Sequence, residues 1–288
     1  MIPLTLSFHS FSERLSNLVE YFDYAFVRNA LAVTVLIALC SALLGVVLVL
    51  RRFSLIGDGL SHTAFGAAAI AAALGIFDMT LTLPITLLSA ILILKANEKR
   101  RMGGDAIIAV VSAGALALGY LVLEASGGAA NLGGDVCTAL FGSSAILSID
   151  TKELIITVAV TATLITLTVI FYHKLFSITF DERFAKATGT ATNAYNLAFA
   201  AVTAVVIVIG MKLAGALLMS ALIVFPAMAA MRVCKSFKAT LIAAPTIAVI
   251  CAVFGVLLSI VLETPVGATV AAVDVLTYGV FAIVGKRK

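Results

Sequence analysis

The sequence predicts an all-α, polytopic membrane protein, a helical bundle of eight to nine transmembrane helices. Three observations point there. Of 288 residues, 62% are hydrophobic and only 12% are charged, against about 45–50% and about 25% in soluble domains. The mean hydropathy of +1.17 means that the apolar surface exceeds what one core can hide, so much of it must face lipid. The apolar residues come in long continuous runs, rich in Ala and Leu, not in the alternation of a β-barrel. Finally, most Lys and Arg collect in five clusters between those runs. Soluble enzymes, disordered scaffolds and nucleic-acid binders are excluded as first readings. The net charge of +4 and the pI near 8.9 arise from these flanking clusters, not from a basic face for DNA or RNA.

Residues 1–28 form a separate N-terminal segment. Phe8, Phe11, Leu15, Leu18, Val19 and Phe22 recur at near-helical spacing with Ser, Glu and Asn between them, which predicts an amphipathic helix lying at the extracytoplasmic surface. The segment lacks the basic start of a signal peptide, so the first apolar run reads as a span entering from outside and not as a cleaved leader. Residues 29–288 form the transmembrane domain. A bilayer-spanning helix needs about 17–25 mostly apolar residues, and the candidate runs are 29–50, 55–77, 80–94, 105–123, 152–172, 195–212, 214–231, 239–262 and 267–285. The third is short and contains Pro84. Between the fourth and fifth, residues 125–150 are too polar and Gly-broken to span, and read as a re-entrant or surface-lying piece.

The basic clusters set the orientation. Arg51-Arg52, Lys95 with Lys99-Arg100-Arg101, Lys174 with Arg183 and Lys186, Arg232 with Lys235 and Lys238, and Lys286-Arg287-Lys288 all belong in the cytoplasm by the positive-inside rule. An even number of crossings then separates neighbouring clusters. Two spans must fit between 187 and 231, with a turn near Gly210–Gly215. This places the N-terminus outside and the C-terminus inside with nine crossings, or eight if one run is re-entrant. The outer loops then carry Asp78, Glu124, Asp135, Asp150, Glu153 and Glu263, an acidic mouth able to concentrate cations.

Many chemistries are missing. The chain has no GxxxxGK[ST] phosphate loop, no HExxH, no GxSxG and no TVGYG filter. It is therefore read as non-catalytic, with energy supplied by a partner chain or an ion. The four Cys form no CxxC pair and read as small buried hydrophobes.

One charged pair lies inside a span. Asp58 and His62 follow Arg51-Arg52 in RRFSLIGDGLSH. With a boundary near Arg52, His62 lies about 15 Å deep in a core of about 30 Å. The i, i+4 spacing points carboxylate and imidazole the same way. Intramembrane ionisable groups are functional candidates, and Asp with His suits Mn²⁺, Zn²⁺ or Fe²⁺. The alternative is a self-satisfied buried pair. Two ligands do not make a site, so others must come from another helix or a second copy. Small residues follow His62 (Ala64, Gly66, Ala67, Ala68, Ala69, Ala71, Ala72), which suits close packing of this helix in a bundle. Asp274, in the last run, is expected to pair with a neighbouring helix. Lys212 is expected to snorkel at the outer turn, and Glu124 to border the vestibule.

At these residues the sequence resembles the ABC-3 type permeases, membrane subunits of bacterial manganese, zinc and iron ABC importers. Besides RRFSLIGDGLSH, the similar blocks are GGDAIIAVVSAGALALG (103–119), LFGSSAILSID (140–150), FSITFDERFAKATG (176–189), KLAGALLMSALIVFPAMAA (212–230) and TPVGATV (264–270), in the family's order. The resemblance implies a homodimer of the permease in the bacterial cytoplasmic membrane, bound to two ABC ATPase subunits and served by an extracytoplasmic metal-binding protein. It implies a fold like the permeases of vitamin B12 and siderophore importers, no permanently bound cofactor, and a divalent metal ion as cargo. It makes Asp58 and His62 the metal contacts.

The resemblance also gives residues 173–194 a role, as the cytoplasmic coupling loop that docks on the ATPase. The implied coupling residues are Phe180, Asp181, Glu182, Arg183, Ala185 and Gly189. Here the chain departs from the family, which has an acidic residue two positions after the Asp; Arg183 stands there, with Glu182 beside it. Two alternatives stay open: a proton-driven secondary metal carrier using Asp58, His62 and Asp274, and an ABC permease for a larger metal chelate.

Overall fold

The computed structural model describes residues 22–74, 79–98, 104–125 and 151–285. Most of the N-terminal amphipathic segment, nearly all of the 125–150 piece, Asp78, Asp135, Asp150 and the clusters at 99–101 and 286–288 lie outside the described residues. Within them the chain is all helical, with eleven helices. These are α1 (Ala25–Leu50), α2 (Ile56–Ala73), α3 (Met79–Glu98), α4 (Gly104–Ala125), α5 (Thr151–Ile170), α6 (Tyr172–Phe180), α7 (Glu182–Ala187), α8 (Thr192–Ala214), α9 (Ala216–Val233), α10 (Phe237–Leu262) and α11 (Val266–Gly285). Six of them, α1, α5 and α8–α11, are long and apolar enough to cross a membrane, and the apolar stretches of α3 and α4 are shorter, Leu81–Ile93 and Ala106–Val122. The helices thus lie where the apolar runs predict them, while length and composition assign six spans where eight to nine are expected. Asp58, His62 and three glycines dilute α2, and the stretches Leu81–Ile93 and Ala106–Val122 count only the described side chains of α3 and α4.

α1 and α9 form the centre. α1 packs on α5, α8, α9 and α10, and α9 packs on α1, α2, α8, α10 and α11. Val33, Ile37, Val46 and Val47 of α1 and Leu218, Met219, Leu222 and Ile223 of α9 are almost wholly buried. α5 is the opposite case. It buries only Thr157, Thr161 and Leu164 and exposes Ile155, Ile156, Val169 and Ile170. Its inward threonines donate to their own i−4 carbonyls, and the Cys40 thiol donates to Thr161 Oγ1 at 3.2 Å, so the contact with α1 leaves no hydroxyl hydrogen unsatisfied.

Two sharp turns set the register. After α1, Arg52 N–H donates to Val49 O and Phe53 N–H to Leu48 O, a Schellman closure with Arg52 in the left-handed region at φ 61°. Such a conformation costs a non-glycine residue about 1–2 kcal/mol; burial of Phe53 offsets it. Between α8 and α9 a single residue, Gly215, turns the chain at φ 92° and ψ 155°, a conformation essentially reserved for glycine. This is the turn the charge pattern demands near Gly210–Gly215. At the same end Lys212 Nζ meets Glu153 Oε1 of α5 at 2.9 Å, so Lys212 is paired and not merely snorkelling.

The opposite end gathers basic clusters. Phe237, at the start of α10, stacks with Phe176 and Phe180 of α6, and Arg51 reaches Glu182 of α7. Clusters 51–52, 174–186 and 232–238 therefore share one end of the bundle, as one-sided loops require.

Candidate functional site: the α2 pair and the α6–α7 segment

The position of α2 follows from its glycines. A Cβ on Gly57 would meet the Ile223 side chain of α9 at 2.8 Å, and one on Gly59 would meet Ile108 of α4 at 2.6 Å. Two turns further in, a Cβ on Gly66 would collide with the Ala115 carbonyl of α4. Backbone-close packing therefore fixes α2 against α9 on one side and α4 on another. At 100° per residue, positions 58 and 62 fall between those two directions, where Asp58 is exposed and His62 partly buried.

On that face His62 Nε2 lies 3.4 Å from Asp58 Oδ1, with the two side chains 23% and 51% exposed respectively. The i, i+4 geometry expected from the sequence is thus present, and the pair is reachable. It is not closed on itself: His62 Nδ1 is buried without a hydrogen-bond partner, and the contact is long for a strong hydrogen bond. Ser61 and Thr63 donate to their own backbone, at Gly57 O and Gly59 O, each at 2.8 Å, and so turn away from the pair. Among the described residues no group of three or more His, Cys, Asp or Glu could hold a metal ion.

Asp274 differs from its expectation. It is 2% exposed, and neither carboxylate oxygen has a hydrogen-bond partner. The Cys251 thiol of α10 donates instead to Thr277 Oγ1 at 3.3 Å. Among the described residues the neighbouring α10 offers Asp274 only the Cys251 thiol, and no cation pairs with it. Glu124 is exposed near the end of α4.

The segment 173–194 is two short helices and a turn. Asp181 caps α7, its carboxylate accepting from Phe184 N–H at 2.9 Å, a standard N-cap. Gly189, at φ 84°, ends it: Gly189 N–H donates to Lys186 O and Thr190 N–H to Ala185 O, a second Schellman closure. Ala185 is fully buried beneath the short helix. Phe180 and Phe184 are 59% and 62% exposed, and Arg183 is exposed beside them. Asp181, Ala185 and Gly189 therefore shape the segment, while Phe180, Phe184 and Arg183 present its surface.

Glu182 does something the sequence did not reveal. Its Oε1 accepts from Asn196 Nδ2 of α8 at 2.6 Å, and its Oε2 lies 3.5 Å from Arg51 Nη2 at the end of α1. The acidic residue next to Arg183 is turned inward to the bundle. The only sequence signal for this was one amide, Asn196, at the start of an apolar run, and Phe184 was likewise not singled out.

This arrangement has relatives. Residues 23–285 match the ABC 3 transport family. The chain is 32% identical over 253 residues to a Treponema pallidum protein named "Probable metal transport system membrane protein", covering 88% of this chain and 93% of that one. It is 26% identical to the manganese import system permease protein ScaB of Streptococcus gordonii, covering 92% and 94%. The solved structure of PsaBC from Streptococcus pneumoniae in complex with Fab superposes with a TM-score of 0.79 at 26% identity, covering 94% of each chain. An ABC transporter in an inward-facing conformation, 17% identical and covering 88% and 84%, shares the fold at a TM-score of 0.67. Matched along nearly all of its length by profile, by sequence and by fold, the chain belongs to the ABC 3 transport family of membrane permeases.

Proposed function

We propose that this chain is the permease subunit of an ATP-binding cassette importer for a divalent transition metal ion, Mn²⁺, Zn²⁺ or Fe²⁺. The observation that carries the reading is the Asp58–His62 pair: on one side of α2, reachable through Asp58, and with too few residues to hold a metal alone. Two copies of the chain enclose the path and complete the ligand set. An extracytoplasmic metal-binding protein delivers the ion to an acidic outer mouth, and two ATPase subunits on the other side drive the change of access. The end bearing Arg51, α7 and Phe237 faces the cytoplasm, with the N-terminus outside and the C-terminus inside. Phe180, Phe184 and Arg183 form the ATPase-facing surface, on a segment shaped by Asp181, Ala185 and Gly189 and anchored by Glu182. Mn²⁺ is the first candidate, because ScaB is named for manganese import, and carboxylate with imidazole suits it. Weak, temporary ligation by the pair keeps the ion moving.

The test is uptake by proteoliposomes holding the permease with its ATPase and binding protein, given a panel of Mn²⁺, Zn²⁺ and Fe²⁺. ATP-dependent accumulation of one of them supports the reading; none with all components present refutes it. A second reading, the proton-driven carrier, draws on the unpartnered Asp274. Uptake by the isolated chain without nucleotide would favour it.

A further inference from the structure

Between α1, α5, α6 and α8 lies a cavity of about 370 Å³. Leu44, Leu164 and Val202 line its deep part, and Arg51, Tyr195 and Asn196 stand at one end. Lining residues run from Leu44 to Arg51, from Leu164 to Phe171 and from Ala194 to Val202, about 10–12 Å along each helix at 1.5 Å per residue. One leaflet of a bilayer has about 15 Å of hydrocarbon. The cavity therefore starts at the polar boundary marked by Arg51 and runs most of the way to the bilayer midplane.

Its outer wall is α5, the helix with the least buried surface of the six long apolar ones. Ile165, Val169 and Ile170 of that helix are exposed, so the cavity is flanked by apolar surface that the described residues leave uncovered. A peptide or polar metabolite would leave its hydrogen-bonding groups unsatisfied among these walls; an acyl chain would not. The mouth is positive. Lys174 Nζ sits 5.3 Å over the Tyr195 ring, is exposed, and meets no acidic partner among the described residues. Arg51 adds a second cation, part of whose charge is answered by Glu182.

We propose that this cavity binds an anionic phospholipid of the leaflet at the Arg51 end, one acyl chain filling the space and the phosphate resting against Lys174, with Arg51 behind it. The choice of leaflet rests on the sidedness proposed above; the site itself does not. Apolar walls select a chain, and the cations select the headgroup charge.

The full chain contains no tryptophan, which makes the test direct. A single Phe199→Trp substitution, or Leu167→Trp should that variant fail to fold, puts one indole in the cavity wall. The protein goes into nanodiscs of phosphatidylcholine doped with brominated-chain phosphatidylglycerol or brominated-chain phosphatidylcholine. Quenching is expected at about fivefold lower mole fraction for the anionic lipid, the effect of one cation near the surface, and Lys174→Glu is expected to abolish that preference while Lys174→Arg keeps it. Equal quenching by both lipids, a preference that survives Lys174→Glu, or no quenching in either tryptophan variant would each overturn the proposal. No transport is measured, so these outcomes are independent of whether the chain imports metal.

Discussion

Two aspartates within the bundle, Asp58 and Asp274, have opposite surroundings. Asp58 is half exposed and stands one turn from an imidazole. Asp274 is buried, and neither oxygen finds a hydrogen-bond donor. Burying a carboxyl group without a hydrogen-bond partner is costly. The contrast teaches that depth in the membrane alone does not identify a working group; reach and company do. Asp58 has both, and Asp274 has neither.

The sharpest way to break that contrast is to remove the α2 pair. Asp58→Ala and His62→Ala are each expected to lower metal uptake by the reconstituted complex at least about 10–100-fold, the range for disturbing a metal's ligand environment, with assembly unchanged by size-exclusion chromatography. Normal uptake in both would strip Asp58 of its role. Next comes the scaffold: Gly66→Val pushes α2 from Ala115 of α4 and is expected to cost about 1–3 kcal/mol, read as a lower melting temperature in detergent together with reduced uptake. Asp274→Asn is expected to leave uptake intact, and Asp274→Leu to raise thermal stability by about 1 kcal/mol or more, as an unsatisfied buried polar group is removed. Loss of uptake in Asp274→Asn would move that residue to the working side of the comparison and favour the proton carrier. The smallest effect is expected from Glu182→Gln. It keeps an acceptor for Asn196 but loses the partly exposed pair with Arg51, a change below about 1 kcal/mol in stability, yet metal-stimulated ATP hydrolysis by the complex should fall.

Much of this was legible in the sequence, because lipid imposes length and continuity on a spanning helix. The run 239–262 became α10 and 267–285 became α11, within two residues at each end. The forced turn fell on Gly215 because two spans had to fit into so little chain. Asp58 and His62 were found because they share one helix face, a local relation that spacing alone encodes. What stayed hidden was non-local. Glu182 meets Arg51 across 131 positions, and Lys212 meets Glu153 from a different helix; no periodicity records such distances. Asp274 was expected to have a partner because most buried charges do, and only coordinates could reveal that among the described residues its oxygens meet no hydrogen-bond donor.

The closure at Arg51-Arg52-Phe53 carries one last consequence. Val49 and Leu48 accept the hydrogen bonds that lock this link, and α2 starts only three residues after Phe53, so the connection has no slack to absorb movement. Glu182 grips Arg51 from the α7 side. Any tug on α7 that keeps this grip is handed straight to the first turn of α2, where Asp58 sits. The bundle thus contains a stiff tendon, two residue contacts long, from its outermost small helix to the carboxylate that would greet the ion.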